Sequence, residues 1–183
     1  MVLQTPVTSL NHGTQAIESR VMVMSRHRAK LLWNRGDTVF LRGRYSREHT
    51  WMFDGGAIIA ASSSPSLVPT PHSNPANVDP EEAYVAAISS CHMLTFLYLA
   101  SQRGLQIDSY QDDAVGEITK DETGNAWISE VTLNAKVTYS GARQAMCGEI
   151  DRLHHLAHEQ CIIANSIRSE VTVNSEVTRA LSP

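Results

Sequence analysis

Cysteine is scarce in this sequence: Cys91, Cys147 and Cys161 are the only three among 183 residues. Three thiols cannot form the framework of a small disulfide-rich secreted domain, so any bond among them is redox-active or adventitious. Basic runs are missing as well. The Lys and Arg residues are scattered and outnumbered by Asp and Glu, 15 against 19, which argues against a nucleic-acid or anionic-membrane surface. The opening MVLQTPVTSLNHGTQ lacks the basic start and apolar stretch of a secretory signal, and no apolar run is expected to reach the length of a membrane span. The expectation is a soluble, cytoplasmic protein with no nucleic-acid or membrane partner. Residues 1–18, polar and without period, read as a flexible leader, and residues 19–183 as one domain with one core.

What is present is ordered by punctuation. Residues 21–33, 38–44 and 50–60 carry β-branched and aromatic residues between turn signals such as Arg35-Gly36-Asp37 and Asp54-Gly55-Gly56, and predict an antiparallel meander. Residues 62–78 hold prolines at 65, 69, 71 and 75 and predict a long surface loop. Asp79, Pro80, Glu81 and Glu82 then give an N-cap, a first-turn proline and acidic charge at the positive end of a helix dipole. The stretch AYVAAISSCHMLTFLYLASQ, residues 83–102, has no Asp, Glu, Lys or Arg and is apolar or small nearly all round, so it predicts a central helix buried on most faces. A hairpin is expected over residues 113–139. A second amphipathic helix is expected over 141–164, with Cys161 on its apolar stripe, and a last strand over 170–177. The order βββ-α-ββ-α-β predicts an α+β fold of antiparallel sheets with two long helices.

A lone thiol on an apolar helix face is most often a small hydrophobe, and Cys147 is read that way. Cys91 and Cys161 differ because each lies on one of the two predicted helices, and helices packed about 8 to 10 Å apart can bring two side chains together. Such a pair can run a peroxide cycle: a thiolate attacks, the sulfenic acid condenses with the second thiol, and an external dithiol restores both. The attacking sulfur needs a cation or hydrogen-bond donor to be held as thiolate. Arg42, Arg44 and Arg47 offer one. His154, His158 and Cys161, at steps of four and three, form a competing zinc-ligand pattern with His92 beside Cys91, but no metal is expected.

With these residues in view, the chain resembles the OsmC/Ohr family of thiol-dependent hydroperoxide reductases. There a Pro-Glu step stands ten residues before the peroxidatic cysteine, as Pro80-Glu81 does before Cys91. The second family cysteine lies near the end of the second helix, as Cys161 does, although the proline that often follows it is replaced here by Ile162. The resemblance, over residues 21–177, implies that Cys91 attacks, Cys161 resolves and Glu81 orients an arginine. The loop before the first helix holds no arginine, which leaves Arg47 or Arg44, with Arg47 preferred.

The resemblance also implies an intertwined homodimer, an organic hydroperoxide substrate, and a dithiol reductant of lipoyl type with no bound cofactor. Helix geometry points independently to a dimer: ten residues rise about 15 Å, so Glu81 cannot touch Cys91 of the same straight helix. Tyr84, Ile88, Met93, Leu94, Trp51 and Phe53 are expected to wall an apolar site. The rival reading is a non-catalytic redox sensor or small-molecule binding protein on the same fold.

Overall fold

The computed structural model describes residues 24–180, so the leader at 1–18 and the first residues of the predicted 21–33 strand lie outside the described part. The first sheet is a three-stranded antiparallel meander: β1 (Ala29–Leu32), β2 (His49–Phe53) and β3 (Ile58–Ala61). The strand expected over 38–44 is not formed. That segment holds a 3-10 turn at Leu41–Gly43, with Arg42 at φ 66°, and a left-handed residue interrupts a pleated ladder. Residues 50–60 form the hairpin of β2 and β3, turned at Asp54-Gly55-Gly56, one of the turn signals of the sequence, where Gly56 adopts φ 88°.

The loop over 62–78 is irregular, as its prolines require. It is tied to the sheet and to the residues before β2 by the bridge Ala61–Val78, by the N–H of Arg47 donating to the His72 carbonyl at 2.9 Å, and by Asn74 Nδ2 donating to Glu48 Oε2 at 2.9 Å, among other contacts. The central helix α1 (Pro80–Gln102) opens with a capping box. Asp79 Oδ1 accepts from the Glu82 N–H at 2.7 Å, and Glu82 Oε2 accepts from the Asp79 N–H at 3.1 Å, which satisfies two N–H groups that helix geometry leaves unpaired. Gly104, at φ 68°, ends it.

Three strands follow α1, not two: β4 (Gln106–Asp112), β5 (Val115–Lys120) and β6 (Ala126–Ser140). Sequence patterning missed β4, Gln-Ile-Asp-Ser-Tyr-Gln-Asp, because only Ile107 and Tyr110 carry its apolar signal and a register shift between Ile107 and Ser109 breaks their alternation. The 15-residue β6 is the spine of the second sheet, pairing antiparallel with β4 and β5. Helix α2 is shorter than expected, Glu149–Gln160. Gly148, in the left-handed region at φ 67°, delays its start, and Glu149 bridges back to Arg143 at 2.7 Å and to the Met146 N–H at 2.9 Å. After α2, β7 (Glu170–Arg179) pairs with β6 in parallel, so this sheet is mixed where an antiparallel one was expected. A helical crossover permits that direction, whereas a tight hairpin does not.

The core forms between α1, α2 and the second sheet. Phe96, Ala100, Leu105, Val137, Ile150, Leu153 and Ala157 make one cluster, and Ile88, Val131 and Leu133 another. A Cβ on Gly116 would stand 2.6 Å from Val85, so β5 lies against α1 closely enough to require glycine there. Helix α1 is buried on one row only, Ile88, His92, Phe96 and Ala100, and not on most faces. Leu94 and Tyr98 are 60% and 61% exposed. Its length and composition would also suffice to cross a membrane, contrary to the expectation from the sequence.

His92 and His154 face each other inside this core, Nε2 to Nδ1 at 3.0 Å, with rings 4° from parallel. Burial lowers both from the ordinary histidine value to about 4. Between about pH 6.5 and 4 the unfolded chain therefore binds protons that the folded chain refuses. Stability should fall as pH drops through that window, by at most about 1.4 kcal/mol per unit for each imidazole. Urea titrations from pH 7 to 4 measure the slope, and replacing both histidines by leucine should flatten it.

Candidate thiol site

Two of the predicted residues are brought together by α1 and α2. Cys161 is fully buried and Cys91 half-buried, and both are free thiols. Cys91 is a side-chain neighbour of Cys161, near enough to raise its pKa. Cys161 does not lie on the helical stripe as expected. It is the C-cap residue of α2, its backbone already extended at ψ 116°, and its N–H donates to the His158 carbonyl at 3.3 Å. The cap turns the side chain inward, where the Ala164 N–H donates to Sγ at 3.3 Å. Burial raises the Cys161 thiol above its ordinary pKa, and the neighbouring Cys91 raises it further; the backbone donors from Ala164 and Ile163 oppose this without cancelling it. Cys161 is accordingly held in its protonated form. Cys147, read from sequence as a buried hydrophobe, is exposed because the helix expected to carry it begins only at Glu149.

Arg47 and Glu81 share a different cleft, of about 380 Å³, with Trp33, Phe40 and Tyr45. The Arg47 guanidinium lies 3.8 Å from the Tyr45 ring centroid, and its Nη1 donates to the Gly43 carbonyl at 2.7 Å. A cation over a ring face is held by the ring quadrupole. The ring of Tyr45 also stacks on Phe40 and meets Trp33 edge-on. Glu81 projects from the first turn of α1, with Oε2 buried and unpartnered. Its pKa is raised, chiefly by desolvation. The two residues form no ion pair among the described residues, and Arg44 is exposed and lines no part of this cleft.

Two features here were not read from the sequence. The first is His49. Because the Arg47 carbonyl can only accept, His49 must donate through Nδ1 at 2.8 Å, and its Nε2 accepts from Trp51 Nε1 at 2.7 Å. Its tautomer is thereby fixed beside Arg47. The alternation His49-x-Trp51 on a strand was the available signal, since such residues share one face. The second is the aromatic wall of Trp33, Phe40 and Tyr45. The expected wall does not assemble: Ile88 is in the core, Leu94 points outward, and Trp51 and Phe53 lie on β2.

Thus one chain supplies a thiol pair at the middle of α1 and an Arg–Glu cleft at its N-terminus, about 15 Å apart by helix rise. Exposed apolar side chains lie on the same elements, Leu94 and Tyr98 on α1 beyond Cys91, and Leu31 and Ile58 on the first sheet.

A family profile described as OsmC-like protein matches residues 72–176. A structure of an OsmC-like protein of unknown function from Vibrio cholerae is 47% identical, with a TM-score of 0.81, over 84% of this chain and 100% of that one. An organic hydroperoxide resistance protein from Elizabethkingia anophelis shares the fold at 18% identity and a TM-score of 0.62, over 86% and 99% of the two chains. The organic hydroperoxide resistance protein OhrB of Bacillus subtilis does so at 18% and 0.56, over 85% and 100%. No curated protein matches the chain. The profile over more than half the chain, and the close similarity to the Vibrio protein, place this α+β chain in the OsmC-like protein family.

Proposed function

We propose that the protein is a thiol-dependent peroxidase that reduces organic hydroperoxides to alcohols. The observation that carries this reading is the meeting of Cys91 with the buried Cys161. In the reaction, the Cys91 thiolate attacks a peroxide oxygen and the O–O bond breaks. Sulfur keeps that oxygen as sulfenic acid, and the leaving alkoxide takes a proton to become the alcohol. Cys161 then displaces water from the sulfenic sulfur, and a Cys91–Cys161 disulfide forms. An external dithiol, of lipoyl type by family resemblance, donates the two electrons that restore the thiols. No bound cofactor enters the cycle. The half-exposed Cys91 is the thiol open to substrate, and the fully buried Cys161 is suited to resolve.

Arg47 is assigned to hold the thiolate and polarise the peroxide, and Glu81 to orient Arg47. One chain leaves them apart from Cys91, so the proposed unit is a homodimer in which the α1 helices run antiparallel across a two-fold axis. The Arg–Glu cleft of one copy then meets the thiols of the other. The exposed row on α1 and the exposed apolar residues of the first sheet support this arrangement, since patches of this kind mark interaction surfaces. The aromatic wall beside Arg47 favours an apolar peroxide.

Reduced protein should consume cumene hydroperoxide faster than hydrogen peroxide when a dithiol is supplied, and Cys91→Ser should abolish turnover. Oxidation that stops at one equivalent would instead indicate a redox sensor. Mass spectrometry after a single peroxide pulse should find Cys91 joined to Cys161 and Cys147 free. Arg47→Lys should lower kcat/KM by roughly 10²-fold, the scale of losing one oriented donor at a reacting oxygen, while Arg44→Ala leaves it unchanged. Sedimentation should give a dimer, and a monomer of full activity would refute the shared site.

A further inference from the structure

Among the described residues, a single side-chain hydrogen bond joins α1 to α2: His92 Nε2 to His154 Nδ1, at 3.0 Å. The rest of that contact is apolar, with Phe96 and Ala100 of α1 in one cluster with Ile150, Leu153 and Ala157 of α2. The two imidazoles are 1% and 4% exposed. They lie 4° from parallel, and Phe96 stacks on His154 at 4.3 Å between centroids. Burial lowers both to about 4, so both are neutral at pH 7. One N–H therefore stands between the facing nitrogens, and one lone pair receives it.

As packing material the pair is a poor choice. His92 Nδ1 and His154 Nε2 are buried with no partner among the described residues, and unpaired buried polar atoms cost stability that two leucines of similar volume would not. What the pair adds is direction. Apolar surfaces can slide over one another, whereas a hydrogen bond accepts only a narrow range of distance and angle. One residue of slip moves a helix by about 1.5 Å and turns it by about 100°, enough to break the contact between the rings.

The same slip would part the thiols. His92 directly follows Cys91 on α1. Cys161 caps the helix that carries His154, with its N–H donating to the His158 carbonyl at 3.3 Å. Closing a disulfide requires Cβ atoms roughly 3.5 to 4.5 Å apart and a set torsion about the S–S bond, a tolerance smaller than one residue of slip. Each imidazole is thus tied through its own helix to one member of the thiol pair.

We propose that His92 and His154 are positioning residues for the thiol pair: their hydrogen bond fixes the register of α1 on α2 at which Cys161 can bond to Cys91. The inference rests on the reading of Cys91 and Cys161 as a redox pair, and not on peroxide as its oxidant. Neither ring takes part in the chemistry.

The test equilibrates the full chain, with air excluded at pH 7, in graded ratios of glutathione and glutathione disulfide. Two protein thiols are oxidised to the Cys91–Cys161 disulfide as one glutathione disulfide is reduced to two glutathiones. Alkylation after acid quenching, read by mass spectrometry, gives the equilibrium constant. His92→Leu combined with His154→Leu keeps the interface apolar and filled, and should lower that constant by about 10-fold, the scale of one oriented hydrogen bond. His92→Gln combined with His154→Asn puts an amide nitrogen near the place of Nε2 and an amide oxygen near that of Nδ1, and should restore most of the loss. Should the leucine pair fail to fold, His154→Phe, which keeps a ring against Phe96 and removes only the nitrogens, should show the same fall. A leucine pair that matches the unaltered protein, or an amide pair no better than the leucine pair, would overturn the proposal. Because these equilibria involve no peroxide, inactivity toward cumene hydroperoxide would count against the peroxidase reading alone.

Discussion

The packing of α1 on α2 is the constraint on which the rest of the molecule depends. The row His92, Phe96 and Ala100 meets Leu153, His154 and Ala157, and the same contact that excludes water from the core sets Cys91 beside Cys161. Hydrophobic burial is not directional, so the register of the two helices has to be specified by something else. The parallel imidazoles of His92 and His154, locked at 3.0 Å and roofed by Phe96, supply a directional contact at the centre of that interface. A buried polar contact of this type gives a packing interface one preferred register at some cost in stability.

The molecule also separates functions along a single rigid element. At its N-terminus α1 presents Glu81 to an aromatic cleft, at its middle a thiol, and on its outer face Leu94 and Tyr98. The long loop before it is not idle connection. By hydrogen-bonding Glu48 through Asn74 and the Arg47 backbone through His72, it fixes the strand end from which Arg47 projects.

Legibility from sequence followed the locality of the signal. The start of α1 was readable to the residue because Asp79, Pro80 and Glu82 act within one turn. The Ser/Pro loop and the hairpin into β6 were readable for the same reason. The strand predicted at 38–44 failed because β-branched residues were weighed above a backbone that turns left-handed at Arg42. The length of α2 was overestimated because Ala142, Ala145 and Met146 continue its apolar period through a stretch that Gly148 cuts off. Of the site, the Cys91–Cys161 meeting followed from two helices and their resemblance to a known family. The Arg47 environment depends on Trp33, Phe40 and Tyr45, whose convergence comes from the segment between β1 and β2 and leaves no periodic trace.

The parallel pairing of β6 with β7 gives the thiol pair a place in the order of synthesis. Cys161 sits on the crossover between these strands, after α2 and before β7. A parallel ladder of ten residue pairs cannot form until the chain beyond the crossover has been made, and such long-range pairing is slow compared with local structure. During translation Cys91 is therefore present and unburied well before its partner is held opposite it. The nascent chain carries Cys91 in an apolar helix before Cys161 has been made, and the docking of α2 on α1 is what sets the second thiol opposite it.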